Sequence, residues 1–241
     1  MRFSANLNIM IKAAEKAVAY VSRDFTELAN LQNSPATADK FAVASYNKIK
    51  RILIDDLWNL RPDYDITFSD GQKLSRDGEA EYSYKIIPID GMDNFMRSGS
   101  DFTIAIALEH LNKNGQMEAI SIVIKKIIGG ETYYCEKGFG AYCNDRRIRV
   151  SKRPTSETRL CAVQNINQDV KEFLDEQKIV NISPRFYGCN TLEIAYLSSA
   201  RLELAIFGNS DNHFLEPFLL LAREAGGIVK KSKNLTLVTN N

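Results

Sequence analysis

The sequence lacks several patterns that would place the protein in a particular class. Its four cysteines have no C-x-x-C spacing, which disfavours a zinc site and predicts four reduced thiols. No apolar run approaches the roughly 20 residues that a helix needs to span a bilayer, and the sequence from Met1 has no signal-peptide core. Lysine and arginine total 31 against 30 aspartate and glutamate, so no charge excess favours nucleic acid or an anionic membrane. We therefore expect a cytoplasmic globular protein with no membrane partner and no direct nucleic-acid partner.

The first part of the chain has the pattern of helices. With 241 residues, 44% of them hydrophobic, the protein can bury a sizeable core. Apolar residues at helical spacing predict one helix over about 7–25 and a second over about 39–60. Residues 30–39 are predicted to form the loop between them. Residues 69–81 are polar, which predicts a loop or a hairpin tip.

From Tyr82 onward the pattern changes to that of strands and then alternates. Strands are predicted over residues 86–89, 102–108, 120–127, 131–137 and 147–151. Farther on, helices are predicted over residues 170–177, 191–200 and 215–225, and strands over 202–207 and 227–230. The strand over 227–230 is the last predicted element. Helices followed by strands and then by alternating elements predict layered α and β structure.

One segment at the end of a predicted strand resembles a known signature. It reads Ile86-Ile87-Pro88-Ile89-Asp90-Gly91-Met92-Asp93-Asn94-Phe95, and the inositol monophosphatase family has Asp-Pro-Ile/Leu-Asp-Gly-Thr-x-Asn-Phe. Three further blocks follow in the family's order: residues 138–151, residues 187–201, and Arg223-Glu224-Ala225-Gly226-Gly227, which is identical to the family's R-E-A-G-G. The chain is identified as a member of this family over about residues 5–230. Its pattern is most similar to the bacterial SuhB-like branch.

The resemblance implies a fold and an assembly. The fold is α+β, the layered α-β-α-β sandwich of the sugar phosphatase superfamily that includes inositol monophosphatase and fructose-1,6-bisphosphatase. Residues 1–241 would form a single unit, with an N-terminal lobe over about 1–150 and a C-terminal lobe over about 151–241. The family also implies a homodimer. The SuhB-like branch implies a protein partner in the transcription machinery, since its members act in ribosomal RNA transcription with Nus factors and RNA polymerase.

The resemblance also implies that most catalytic positions of the family have changed. Active members bind Mg²⁺ through a Glu and three Asp residues. These positions are here held by Ser69, Ile87, Asp90 and Phe214. Three other family positions, an early Asp, the Thr that positions the attacking water and the acid that binds inositol, correspond to Tyr46, Met92 and Phe207. An aliphatic or aromatic side chain cannot coordinate a hard cation.

Asp90 has two interpretations at this stage. In one, Asp90 with the backbone carbonyl of Ile89 and with Asp70 is a vestigial metal site that holds one hydrated ion. In the other, the Asp90 carboxylate caps backbone amides of the turn before Gly91. Gly91 and Asn94 form a sharp turn into a helix start, where exposed amides could still bind phosphate.

Other polar residues near the signature positions also have two interpretations. Asp93, Asp211 and Glu216 would either form a substitute metal site or be solvated carboxylates. His213 would act as a base or simply pack beside Phe214. Three short basic clusters are interpreted as solvated faces rather than an RNA site: Lys125-Lys126, Arg146-Arg147 and Lys230-Lys231-Ser232-Lys233.

The sequence therefore separates fold from activity. We expect a protein of the phosphatase fold that has lost most or all hydrolytic activity, needs no cofactor and has a binding or scaffold role. The alternative is a Mg²⁺-dependent phosphoric monoester hydrolase, acting on inositol phosphate or sugar phosphate through an unconventional ligand set.

Overall fold

Two long helices form the first layer of the protein. The computed structural model describes residues 3–75, 80–154, 157, 159–164, 168–179, 181–208, 214–232 and 234–240. Helix α1, Ala5–Leu31, begins where the Ser4 hydroxyl accepts a hydrogen bond from the Leu7 amide. Helix α2, Pro35–Leu60, packs against α1. The predicted loop over 30–39 is wrong in length, because Pro35 lies in the first turn of α2, where its missing amide hydrogen costs nothing.

An eight-stranded sheet lies beneath this pair of helices. Its order is β2-β1-β3-β4-β5-β6-β7-β8, antiparallel except where β1 pairs with β3. The short helix α3, Met92–Met96, separates β3 from β4. In chain order the strands are β1 Asp65–Phe68, β2 Lys73–Leu74, β3 Tyr82–Asp90, β4 Thr103–Leu111, β5 Met117–Lys126, β6 Thr132–Glu136, β7 Gly140–Cys143 and β8 Arg146–Ile148.

The second half of the chain builds a five-stranded sheet with helices on both faces. The sheet order is β10-β9-β11-β13-β12. In chain order the elements are β9 Arg159–Val163, α4 Gln168–Glu176, β10 Ile182–Arg185, α5 Asn190–Ser198, β11 Leu204–Gly208, a 3₁₀ turn Glu216–Phe218, α6 Leu219–Glu224, β12 Ile228–Lys231 and β13 Leu235–Thr239.

Several predictions for this half need correction. The sequence missed β9, β10 and β13, and the strand over 227–230 is not the last element, since β13 inserts between β11 and β12. The strands β9 and β10 were missed because each is short and lacks a long apolar run. The helix predicted over 215–225 is divided, because Pro217 lies in a 3₁₀ turn that precedes α6.

The apolar clusters define the order of the layers. One face of the eight-stranded sheet packs with α1 and α2, and its other face shares a core with α5, α6 and one face of the five-stranded sheet. Helix α4 packs on the remaining face of the five-stranded sheet. The predicted layered α-β-α-β sandwich is confirmed, with α4 as an additional outer helix. Among the described helices, none combines the length and the apolar character needed to cross a membrane.

Candidate functional site

Strand β3 ends at Asp90, where the eight-stranded sheet meets the start of helix α5. We call this junction the cleft, and a glycine turn follows Asp90. Gly91 has φ +80°, a left-handed conformation that glycine adopts without strain. A Cβ atom at this position would lie 2.7 Å from the Asp101 carbonyl oxygen. The turn therefore requires glycine for both its dihedral angle and its close packing, independently of any bound phosphate.

The Asp90 carboxylate is bound to the start of helix α5. Its Oδ2 atom accepts hydrogen bonds from the Thr191 amide at 2.7 Å and the Thr191 hydroxyl at 2.7 Å. The Cys189 thiol, 3.4 Å away, donates to the same oxygen. Burial, and then the charge of Asp90, raise the pKa of this thiol. Asp90 thus caps backbone, but on a helix of the second lobe rather than on the turn before Gly91.

The Thr191 hydroxyl extends this network to the sheet. The hydroxyl oxygens of Thr191 and Thr103 lie 2.6 Å apart, and both side chains are buried. Since Thr103 begins β4, one chain of hydrogen bonds joins β4, α5 and the end of β3. A free N-terminal amide of a helix attracts anions, and here a carboxylate of the protein itself occupies that position.

Asn94 also has a structural role. Its Nδ2 donates to the backbone carbonyls of Asp101 and Tyr187, each at 2.7 Å. These bonds fasten the start of α3 to the loop before β4 and to the loop before α5. The amide group is therefore used to hold two loops together.

Near Ser69, a lysine side chain pairs with the carboxylate of Asp70. Ser69 lies in the turn after β1, with its hydroxyl oxygen 3.5 Å from that of Tyr46. Next to it, Asp70 forms an ion pair with Lys50, a lysine that is only 6% exposed. The Lys50 ammonium also lies 4.7 Å from the centre of the Phe68 ring. The cation that pairs with the Asp70 carboxylate is therefore a lysine side chain of the protein itself.

The pKa of Asp70 reflects this pairing. Burial acts to raise the pKa of this carboxyl, but hydrogen bonds from Lys50 and from the Gln72 amide outweigh it and lower the pKa overall. Since one Asp70 oxygen binds Lys50 and the other accepts from the Gln72 amide, Asp70 is a poor candidate for the vestigial metal ligand.

Ile87, Phe207 and Phe214 belong to a single apolar cluster. Phe207 is fully buried in it, and Ile87 and Phe214 are partly buried against it. Ile89, whose backbone carbonyl belongs to the vestigial metal site considered for Asp90, is 4% exposed. Its side chain lies in the core that α1 and α2 form with the eight-stranded sheet. Met92 is partly buried against that same core.

Of the acids that would form a substitute metal site or be solvated, Asp93 and Glu216 are described. The Asp93 side chain is exposed on α3. Glu216 is engaged by Lys231 at 2.7 Å and by Arg223 at 3.2 Å. Asp211 and His213 lie outside the described residues. Within the described ranges, no group of three or more His, Cys, Asp or Glu side chains is arranged to hold a metal ion.

One buried acid was missed by the sequence analysis. Glu193 on α5 is 1% exposed, and its Oε2 has no hydrogen-bond partner among the described residues. Burial, and then the negative charge of Asp90, raise the pKa of Glu193 to about 8, although a hydrogen bond from the Tyr187 backbone opposes them. The signal that could have revealed it is a single acid within the otherwise apolar stretch from Leu192 to Leu197.

Two of the three basic clusters need correction or qualification. Lys125 is buried and donates to the Thr132 hydroxyl at 2.6 Å, so it is not part of a solvated face. Lys126 is partly buried and donates to the Tyr196 hydroxyl at 2.6 Å. Arg146 and Arg147 are exposed, as expected. In the last cluster Lys230 and Lys231 are exposed, and Lys233 lies outside the described residues. The four cysteines are free thiols, as predicted.

Known proteins resemble this chain in sequence and in fold. The profile of the inositol monophosphatase family matches residues 4–235. The chain belongs to this family. An inositol-1-monophosphatase of Mesorhizobium japonicum is 31% identical over 235 residues, which cover 95% of this chain and 86% of the relative. A Nus factor SuhB of Xylella fastidiosa is 25% identical over 92% of this chain and 80% of the relative.

A solved structure of a related protein has the same fold as this chain. The extragenic suppressor protein SuhB of Bartonella henselae superposes with a TM-score of 0.81 at 26% identity, covering 99% of this chain and 95% of that protein. Members of the family typically use Mg²⁺. The described donors fit Mg²⁺ poorly, because Ser69, Ile87 and Phe214 carry no carboxylate and one oxygen of the Asp90 carboxylate is hydrogen-bonded to α5.

Proposed function

We propose that this protein is a family member with little or no Mg²⁺-dependent phosphatase activity and with a binding or scaffold role. The supporting observation is the environment of Asp90. Its Oδ2 atom stabilises the start of α5 through the Thr191 amide and hydroxyl. Ser69, Ile87 and Phe214 provide no carboxylate with which it could share a cation.

The physical reason lies in what phosphate-ester hydrolysis requires. Metal ions generate the attacking hydroxide, neutralise the phosphate and stabilise the leaving oxygen. Mg²⁺ needs near-octahedral oxygen ligands and binds weakly to one carboxylate. Ile87, Phe207 and Phe214 are packed in one apolar cluster and offer no such electrostatic stabilisation.

The binding role that we propose is with proteins of the transcription machinery. Curated relatives from several bacteria are named Nus factor SuhB, and they match over most of this chain. By the same analogy we propose that the protein forms a homodimer in the cytoplasm. These proposals rest on similarity and do not depend on the state of the cleft.

A second function has one observation in its favour. Asp90 and Glu193 are two carboxyl groups close enough for the charge of one to raise the pKa of the other. Such a pair is a starting point for an unconventional ligand set in a Mg²⁺-dependent inositol phosphate or sugar phosphate monoesterase. The inositol-1-monophosphatases among the relatives are consistent with this alternative.

Calorimetric titration with Mg²⁺ and with Mn²⁺ distinguishes the two functions. We expect only heats of dilution at millimolar metal, because the described site offers too few oxygen ligands. Saturable binding that is lost in Asp90→Asn and retained in Asp93→Asn would favour the phosphatase instead. Asp93 is the matched control, since it is exposed and lies three residues away.

A further inference from the structure

A polar groove lies beside the cleft, on the same face of the eight-stranded sheet. It is a cavity of about 340 Å³ at the corner formed by β1, β2, β3 and β4. Lys85 lines the groove, and Ile87, two residues farther along β3 toward Asp90, points to the same face of the sheet. The groove thus continues the cleft floor away from α5.

The sheet register explains why this corner is polar. Lys73 pairs with Thr67, and Thr67 pairs with Lys85, so three polar side chains form one row across three strands. The next row contains Asp65 and Ser83, with Ser83 pairing in turn with Glu109. The row through Lys85 becomes apolar at Ala107 on β4, and the row through Glu109 becomes apolar at Ala119 on β5. Both alanines contact the apolar core that the sheet shares with α5 and α6.

The groove contains one ion pair and two further charged side chains that do not pair with each other. Glu109 is 5% exposed, and its carboxylate lies 3.3 Å from the Lys85 ammonium, so this pair is internally neutral. Lys73 and Asp65 lie on neighbouring strands, but they do not form an ion pair with each other, and no described carboxylate pairs with Lys73. The Asp65 carboxylate accepts only the Ser75 hydroxyl, at 2.8 Å, among the contacts described.

We propose that this groove binds a small zwitterion, a molecule with one anionic group and one ammonium group. The anionic group would pair with Lys73 and the Thr67 hydroxyl, and the ammonium group with Asp65 and the Ser83 hydroxyl. The cavity volume lies within the range of small-molecule sites. A zwitterion can pair with Lys73 and with Asp65 at once, whereas a ligand of one charge can pair with only one of them. This site is separate from the signature residues, so it does not depend on the loss of phosphatase activity.

Amide chemical-shift titration of the whole chain tests the proposal with defined probes. The zwitterions are γ-aminobutyrate, which carries a carboxylate, and phosphoethanolamine, which carries a phosphate. Butyrate and butylamine are the single-charge controls. We expect saturable shifts at the amides of Thr67, Ser83 and Lys85 with at least one zwitterion at millimolar concentration, and the zwitterion that binds identifies the anionic group.

Two variants make the test specific. Lys73→Ala and Asp65→Asn should each weaken binding by about tenfold or more, since each removes a charge-assisted contact. Lys113→Ala is the matched control, because Lys113 is exposed in the turn between β4 and β5, away from the groove. The proposal is overturned by the absence of saturable shifts, by equal binding of butyrate or butylamine, or by unchanged affinity in Lys73→Ala.

Discussion

At the scale of single residues, Asp90 shows how a carboxylate within a signature segment can have a structural role. The sequence left two interpretations open for Asp90, a vestigial metal ligand and a cap on backbone amides. Its partners are the Thr191 amide, the Thr191 hydroxyl and the Cys189 thiol. These donors belong to residues about a hundred positions away in the chain, so the sequence could not place them.

Removing the Asp90 carboxylate should therefore destabilise the protein in the absence of metal. Asp90→Ala leaves the Thr191 amide without its acceptor in a buried region and leaves the Thr191 hydroxyl with Thr103 as its remaining partner. Loss of such a buried acceptor costs about 1–3 kcal/mol of unfolding free energy. Asp90→Asn keeps an acceptor oxygen and should cost less. Urea unfolding with EDTA present measures both, with Asp93→Ala as the exposed control. An Asp90→Ala variant as stable as the natural protein would show that the cap does not contribute.

Glu193 predicts a dependence of stability on pH. Its pKa in the folded protein is about 8, against 4.5 for the free side chain. Between these two values the folded state binds a proton that the unfolded state has lost, so stability falls as pH rises through this window. Above about pH 8 the loss is complete, and it amounts to a few kcal/mol at most.

Glu193→Gln should remove that dependence. The variant should be more stable than the natural protein at about pH 9 and differ least at about pH 5. Urea unfolding at both pH values measures the difference. Glu27→Gln, an exposed glutamate on α1, is the control and should follow the natural protein. If Glu193→Gln and the natural protein lose stability in parallel with rising pH, Glu193 is not the responsible group.

At the scale of elements, the sequence predicted whether most segments form a helix or a strand, but it placed the ends of these elements less accurately. Long apolar or periodic stretches such as α2 and β4 were found because their patterns extend over many residues. Pro35 was assigned to a loop although it begins a helix, since proline fits both places. Strand β13 was missed because its place in the sheet depends on pairing with β11 and β12, which no local pattern reveals.

The candidate site is assembled from several of these elements, and the sequence could predict only part of it. The signature itself and the missing carboxylates were readable from the residues. The ion pair of Lys50 with Asp70 joins α2 to the turn after β1, and this contact was not predicted. Whether a polar residue is available to a ligand depends on such long-range partners.

Restoring the lost acids on their separate elements should create a dependence on Mg²⁺. The family resemblance implies that Ser69→Glu, Ile87→Asp and Phe214→Asp together would place repelling carboxylates near Asp90. We expect this to lower metal-free stability and to give Mg²⁺ a site. We expect the natural protein to melt at nearly the same temperature with EDTA and with millimolar Mg²⁺. The triple variant should melt lower with EDTA and recover with Mg²⁺.

A matched control adds the same charge elsewhere. Ser100→Asp, Asn114→Asp and Gln116→Glu add three negative charges at exposed positions and should show no specific response to Mg²⁺. If the natural protein itself melts several degrees higher with Mg²⁺ than with EDTA, it retains a metal site and the phosphatase becomes the better interpretation.

At the scale of the whole molecule, the fold and the family are established, and the activity is the open question. The family profile covers residues 4–235, and the layers match those of SuhB from Bartonella henselae. A fold of this kind supports many functions, so activity must be argued from the site. In this chain Asp90, Asn94 and an apolar cluster join the end of β3 to the second lobe, and all of these contacts stabilise the fold.

The most direct measurement is hydrolysis of inositol 1-phosphate by the purified protein over a range of Mg²⁺ concentrations. We predict no metal-dependent release of phosphate above background. Loss of one electrostatic donor costs an enzyme roughly 10²–10³-fold in rate, and Ser69, Ile87 and Phe214 supply no carboxylate in this chain. A Mg²⁺-dependent turnover that Asp90→Asn abolishes and Asp93→Asn leaves intact would contradict this prediction and establish the protein as an active phosphatase.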